Sequence, residues 1–157
     1  MKHYFDIEAF RMAMSADFLQ QCISDHSNME ASEIGILEFH RDSAEQYVAS
    51  RAAVRYDITQ WDVDADGDGV SDNIDGVLRK CAIDIGIHSL AARRYEIPQS
   101  IIDNYNIAEL KLERIANGTM LLPGATISSR RIAGNMTKED LGEQTEDGEP
   151  LQWSGIL

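Results

Sequence analysis

The chain has 157 residues, of which 43% are hydrophobic, and carries a formal net charge of −13 with a pI near 4.5. That length suffices for one domain with a real core and is short for two. The acidic balance disfavours non-specific binding to nucleic-acid phosphates, which needs clustered Lys and Arg, and no apolar run approaches the roughly 20 residues that span a bilayer. Met1-Lys2-His3 leads directly into mixed polar sequence with no secretory signal. Cys22 and Cys81 are isolated, without a CxxC pair, and are expected to be reduced thiols of an intracellular protein.

The first third reads as helices. Asp6 to about Met14 and Ser15 to about Ile23 are two short amphipathic pieces, with Asp6 and Ser15 as N-caps. Polar Ser24 to Asn28 connects them to a longer helix from about Ala31 to Arg55. Its apolar stripe is Ile34, Leu37, Ala44, Tyr47, Val48 and Ala52, with Phe39 off the stripe.

An aspartate-rich segment follows, with six aspartates between Asp62 and Asp75. Carboxylates this dense repel one another, so the segment either stays solvated or captures a hard cation. Counted from Asp64, acidic oxygens from Asp64, Asp66, Asp68, Asp72 and Asp75 fall at positions 1, 3, 5, 9 and 12, with Gly69 at the turn and the Val70 carbonyl at position 7. That is the spacing of a twelve-residue calcium loop. A register from Asp62 fits less well, because Asn73 would then hold position 12. Asp75 is a shorter arm than the usual glutamate, and Ser71 stands where an aliphatic residue normally pairs with a second loop. The segment resembles the aspartate-rich repeats of dockerins and thrombospondin-type calcium modules in a single copy, which suits a structural clip. The alternative is an acidic surface loop that holds no ion.

A helix over Ile74 to about Arg94 carries Val77, Leu78, Cys81, Ala82, Ile85 and Ser89 on one face, with Arg93-Arg94 near the negative pole of its dipole. Asp84 falls on that otherwise apolar face. A buried carboxylate needs a partner, and of Arg51, Arg55 and Arg79 the favoured one is Arg55. Pro98 opens the last helix, which runs to Asn117 with Ile101, Ile102, Tyr105, Ala108, Leu112 and Ile115 as its stripe and Gly118 as its stop.

Beyond Gly118 the periodicity ends. The expected architecture is all-α, a bundle of four to five helices over 1–120 with the acidic loop at 57–75 inserted, and an extended interaction tail over 121–157. In the tail, Arg130 and Arg131 are either an anchor for an acidic partner or a solvated pair. Trp153, Ile156 and Leu157 are candidate anchors that order on a partner or dock back on the helices. Enzyme signatures are missing: there is no HExxH, GxxxxGK[ST] or GxSxG, and Cys81 with His88 reads as a packed thiol and a helix-face imidazole.

Arg51-Ala-Ala-Val-Arg-Tyr56, Val77-Leu-Arg-Lys-Cys-Ala-Ile-Asp-Ile-Gly86, Tyr95-Glu-Ile-Pro98 and Ala108-Glu-Leu-Lys-Leu-Glu-Arg-Ile-Ala-Asn-Gly118 follow one another along the chain. In this order they resemble the Mu-type neck protein family of tailed bacteriophages over about residues 4 to 120. The family pattern is a helix ending in an arginine-tyrosine pair, a helix carrying Leu-(x)-Arg/Lys-(x)-Ala/Cys-(x)-Asp-Ile, a tyrosine-rich turn and a helix closing on Ile-Ala-x-Gly. The resemblance implies a virion protein of the neck, a head completion or head-to-tail connector with no catalytic residues. Such a protein forms a ring, commonly of twelve subunits, below the portal, meets the next neck protein and extends a channel through which DNA passes. The acidic insertion and the long tail depart from the pattern. The other reading open at this point is a calcium-responsive helical binding module.

Overall fold

The computed structural model describes residues 2–23, 33–94 and 96–128. Among them are five α-helices and no β-strand: α1 (Ile7–Met12), α2 (Ala16–Ile23), α3 (Glu33–Ala52), α4 (Gly76–Ala91) and α5 (Gln99–Asn117), with a 3-10 turn at Ile58–Trp61. The all-α expectation holds. None of these helices is long and apolar enough to cross a membrane. Arg130, Arg131, Trp153, Ile156 and Leu157 lie outside the described residues, as do most of the tail and the connection after α2.

Local chemistry fixes the helix ends. Asp6 caps α1 by accepting from the Ala9 N–H, and the Ser15 hydroxyl accepts from the Phe18 N–H at 3.3 Å ahead of α2. Gly118 closes α5 in the left-handed region at φ 78°, which costs a glycine nothing. Pro98 is the N-cap of α5, one position before its first helical residue. α3 and α4 are shorter than their apolar patterns suggest. α3 ends at Ala52, where Arg55 and Tyr56 both donate to the Ala52 carbonyl, and α4 gives way after Ala91 to tight turns at Arg93 and Arg94.

α4 packs against both α3 and α5. Contacts along the helices fix their directions: His40 meets Ser89, Tyr47 donates to Glu109, and Arg55 lies against Gly118. α3 and α5 therefore run parallel with α4 antiparallel to them. Leu37, Val48, Ala52, Leu78, Leu90, Leu112 and Ile115 are fully buried at the centre. α1 closes one side through Phe10, whose ring approaches Gly86 so closely that a Cβ there would sit 3.1 Å from it. Tyr4, Phe5 and Trp61 complete the core from outside the helices. Ile34, expected in the α3 stripe, is instead exposed, and Phe39, expected off it, is exposed too.

The helical body extends past residue 120. Leu122 is buried, its N–H donates to the Tyr56 hydroxyl at 3.1 Å, and residues 126–128 pair antiparallel with 55–57. The Asp84 expectation is half right. Asp84 is buried, but its ion-pair partner is Lys80, not Arg55. Lys80 stands one turn earlier on the same helix, where an i,i+4 pair meets without any help from the fold. The Arg55 guanidinium is committed elsewhere, against Gly118 and the Tyr56 ring.

Candidate metal centre

The acidic loop hangs between two buried anchors, Trp61 at its entry and Ile74 at its exit. Asp57 starts the entry turn, accepting from the Thr59 N–H and hydroxyl, which hold its carboxyl below the ordinary range. The loop's neck closes where the Asp72 N–H donates to the Val63 carbonyl at 2.9 Å. Gly67 and Gly69 turn the chain at φ 81° and 86°. These are backbone states that larger residues rarely adopt.

Asp64 organises the interior. Oδ1 accepts from the Gly67 N–H at 2.7 Å, while Oδ2 accepts from the Gly69 N–H at 3.0 Å and from Lys2 Nζ at 2.8 Å. Its side chain is only 2% exposed, screened by its own loop and Lys2 rather than by the helical core. The Lys2 ammonium is the main reason its carboxyl is held below the usual range, with the two glycine N–H groups assisting against desolvation.

Of the six candidate ligand residues, the fold gathers three. One carboxylate oxygen each from Asp64, Asp66 and Asp72 lie within 4.8 Å of one another, close enough to share a cation. Asp72 Oδ2 also steadies the loop by accepting from the Ala65 N–H. The other expected ligands have local duties. Asp68 Oδ1 accepts from the Val70 N–H at 2.7 Å, and Val70 forms a parallel bridge with His3. Asp75 is the N-cap of α4, its Oδ1 accepting from the Val77 N–H at 2.7 Å. Full calcium coordination takes six to eight oxygens. The three gathered carboxylates are a partial set, and Asp68 and Asp75 are not among the oxygens brought together.

The N-terminal segment is the part of this region that loop spacing does not reveal. The Lys2 N–H donates to Asp62 Oδ1, the His3 N–H to the Gly69 carbonyl and the Ser71 N–H to the His3 carbonyl. On its other side the segment grips α3. Glu45 Oε1 accepts from the Tyr4 N–H at 2.7 Å, Oε2 lies 3.0 Å from His3 Nδ1, and Arg41 Nη2 lies 3.1 Å from His3 Nε2. The charged residues Arg41 and Glu45 are buried on α3. Burial pushes the Glu45 carboxyl up, against the opposing pull of His3, the Tyr4 N–H and Arg41. The one trace of this arrangement in the sequence is that both charges interrupt the apolar face of α3.

No protein-family model, curated protein or solved structure matches this chain.

Proposed function

We propose that the chain is a structural assembly protein, a head-to-tail connector of a tailed bacteriophage that forms a ring below the portal and extends the DNA channel. One observation carries this reading. The two ends of the neck-type pattern meet: Arg55 of the arginine-tyrosine pair lies against Gly118 of the closing Ile-Ala-Asn-Gly, and Tyr56 binds the residues that follow. Residues that resemble a neck protein in order along the chain thus act together as one clamp at the end of the three-helix core. Two further features support it. The charge of −13 suits a channel wall that DNA passes without sticking, and Met12, Ile34, Phe39 and Leu110 offer exposed apolar groups on helix surfaces for subunit contacts. Arg130, Arg131 and Trp153 are the proposed contacts of the tail with a neighbouring subunit or the portal. The test is to mix the full chain with its portal protein and measure the assembly's mass. A ring and a portal-bound ring are expected; a chain that stays monomeric and never joins the portal would sink the proposal.

Within this scaffold the acidic loop acts as a calcium clip, with Asp64, Asp66 and Asp72 as its starting ligands. Calorimetry should detect one calcium ion, and Asp64→Asn should abolish the heat. The second reading, a calcium-responsive binding module, is favoured by the N-terminal segment's double attachment to the loop and to Glu45 of α3. Hydrogen exchange separates the two. A clip changes protection only near residues 62 to 75, whereas a switch changes it along α3 as well.

A further inference from the structure

We propose that His3, Asp42 and Glu45 form a second, separate site for a divalent first-row transition-metal ion, a clasp that fastens the N-terminal segment to α3. Asp42 and Glu45 stand three residues apart on α3 and so share one face. His3 is brought over that face by its backbone pairing with Gly69 and Ser71. One ligand atom from each of the three residues lies within 4.8 Å of the others.

The separations suit an ion of this size. Bonds of about 2.0–2.2 Å from nitrogen and oxygen to such a metal require neighbouring ligand atoms roughly 3.0 to 3.6 Å apart. His3 Nδ1 lies 3.0 Å from Glu45 Oε2 and 3.7 Å from Asp42 Oδ1. Small side-chain rotations therefore bring all three into coordination without moving the backbone. Glu45 is already oriented, because the Tyr4 N–H holds Oε1 and leaves Oε2 on the His3 side. Such a second contact on a ligand carboxylate fixes its geometry before the ion arrives. A dication also meets an electrostatic need, since Glu45 is a buried carboxylate whose ionised form is disfavoured by desolvation.

Arg41 defines what changes on binding. Its Nη2 donates to His3 Nε2, which leaves the proton on Nδ1 directed at Glu45. The ion takes Nδ1, the proton it displaces returns through solvent to Nε2 of the same ring, and the Arg41 Nη2 turns away while its Nε keeps Asp42 Oδ1, now at 3.0 Å. Ligand chemistry separates this site from the acidic loop. One imidazole nitrogen with two carboxylates suits zinc, cobalt or manganese, whereas calcium takes oxygen alone. The partly exposed His3 and Asp42 side chains provide the path of entry and leave room for solvent ligands.

The experiment is a cobalt(II) titration of the full chain, read by visible absorption, with zinc competition and circular dichroism as a check on folding. Wild type and Asp66→Asn are expected to take up one cobalt ion that zinc displaces and calcium in excess does not. His3→Gln and, independently, the milder Asp42→Asn are expected to weaken uptake about tenfold or more, the usual effect of losing a ligand or its support. Equal uptake by wild type and both variants, no uptake by wild type, or displacement of the cobalt by calcium would each overturn the proposal. Absence of a calcium heat in wild type, with cobalt uptake intact, would instead count only against the acidic-loop clip.

Discussion

The ammonium of Lys2 lies 2.8 Å from Oδ2 of Asp64, a residue 62 positions further along the chain. The same carboxylate is the first ligand of the proposed calcium clip, so the protein's own cation and an added one compete for it. Lys2→Gln removes the competitor and leaves the loop glycines and their bonds to Asp64 in place. The Lys2 side chain is 45% exposed, so solvent screens the pair and makes it a weak rival; calcium affinity should rise by about twofold to fivefold, and less in high salt. Calorimetry on the two proteins at low and high ionic strength checks this. An affinity that falls in the variant would mean that Lys2 organises the site rather than competes for it.

Arg55 and Gly118 form a second coupled pair. A Cβ on Gly118 would stand 1.8 Å from Arg55 Nη1, and the residue's φ of 78° is itself unfavourable for a side chain. Gly118→Ala should therefore cost more than the roughly 1–2 kcal/mol of left-handed strain alone. In an Arg55→Ala background the steric part disappears and only the strain remains. A double-mutant cycle by urea unfolding should give a coupling of about 0.5–3 kcal/mol, the range for residues in contact. Additive costs would show that the guanidinium swings aside freely.

His40 sets an acid limit on stability. Burial holds its ring below the usual histidine range, and the charge of Arg93 adds to the effect. Nδ1 lies 2.9 Å from the Ser89 hydroxyl, bridging α3 and α4. The unfolded chain binds a proton at this ring near pH 6.5, while the folded chain does not. Stability therefore falls as pH drops through about 6.5, and the loss stops only below the lowered folded value. One such group contributes a slope of at most about 1.4 kcal/mol per pH unit. His40→Gln should flatten the stability profile between about pH 7 and 5, measured as urea midpoints; an unchanged slope there would assign the loss to other groups.

Features carried by neighbours in sequence are legible before folding is considered. The Asp6 cap, the Gly118 stop, the burial of Asp84 and the face of α5 all follow from three- and four-residue spacing or from one residue's backbone preference. The single face expected for α4 is too narrow, because Ile87, Leu90 and Ala91 are buried on its other side. Asp84's partner is misjudged because a cross-helix arginine looks stronger than the i+4 lysine that is already adjacent. Asp75 illustrates a different difficulty. One carboxylate can end a calcium loop or begin a helix, and spacing alone does not say which N–H groups it will meet. The attachment of Lys2, His3 and Tyr4 to residues 40 to 70 positions away leaves no periodic trace at all. It depends on where α3 and the loop end up in space, and it brings Tyr4 and Phe5 into a core that periodicity assigns to the helices alone.

Phe39 offers the most direct access to the proposed assembly role. It is 67% exposed on α3, with its ring edge-on to His40 at 5.3 Å between centroids. A lone exposed phenylalanine is common on protein surfaces, so the decisive contrast is between folding and association. Phe39→Ser should leave the monomer's stability within about 0.5 kcal/mol, as surface changes usually do. Leu112→Ala, which opens a cavity in the fully buried centre, should cost about 2–5 kcal/mol. If the α3 surface forms a subunit contact, Phe39→Ser shifts the protein toward smaller species in sedimentation velocity at concentrations where wild type forms rings. Equal ring formation by both would remove Phe39 from the interface and direct attention to the Met12 and Leu110 surfaces.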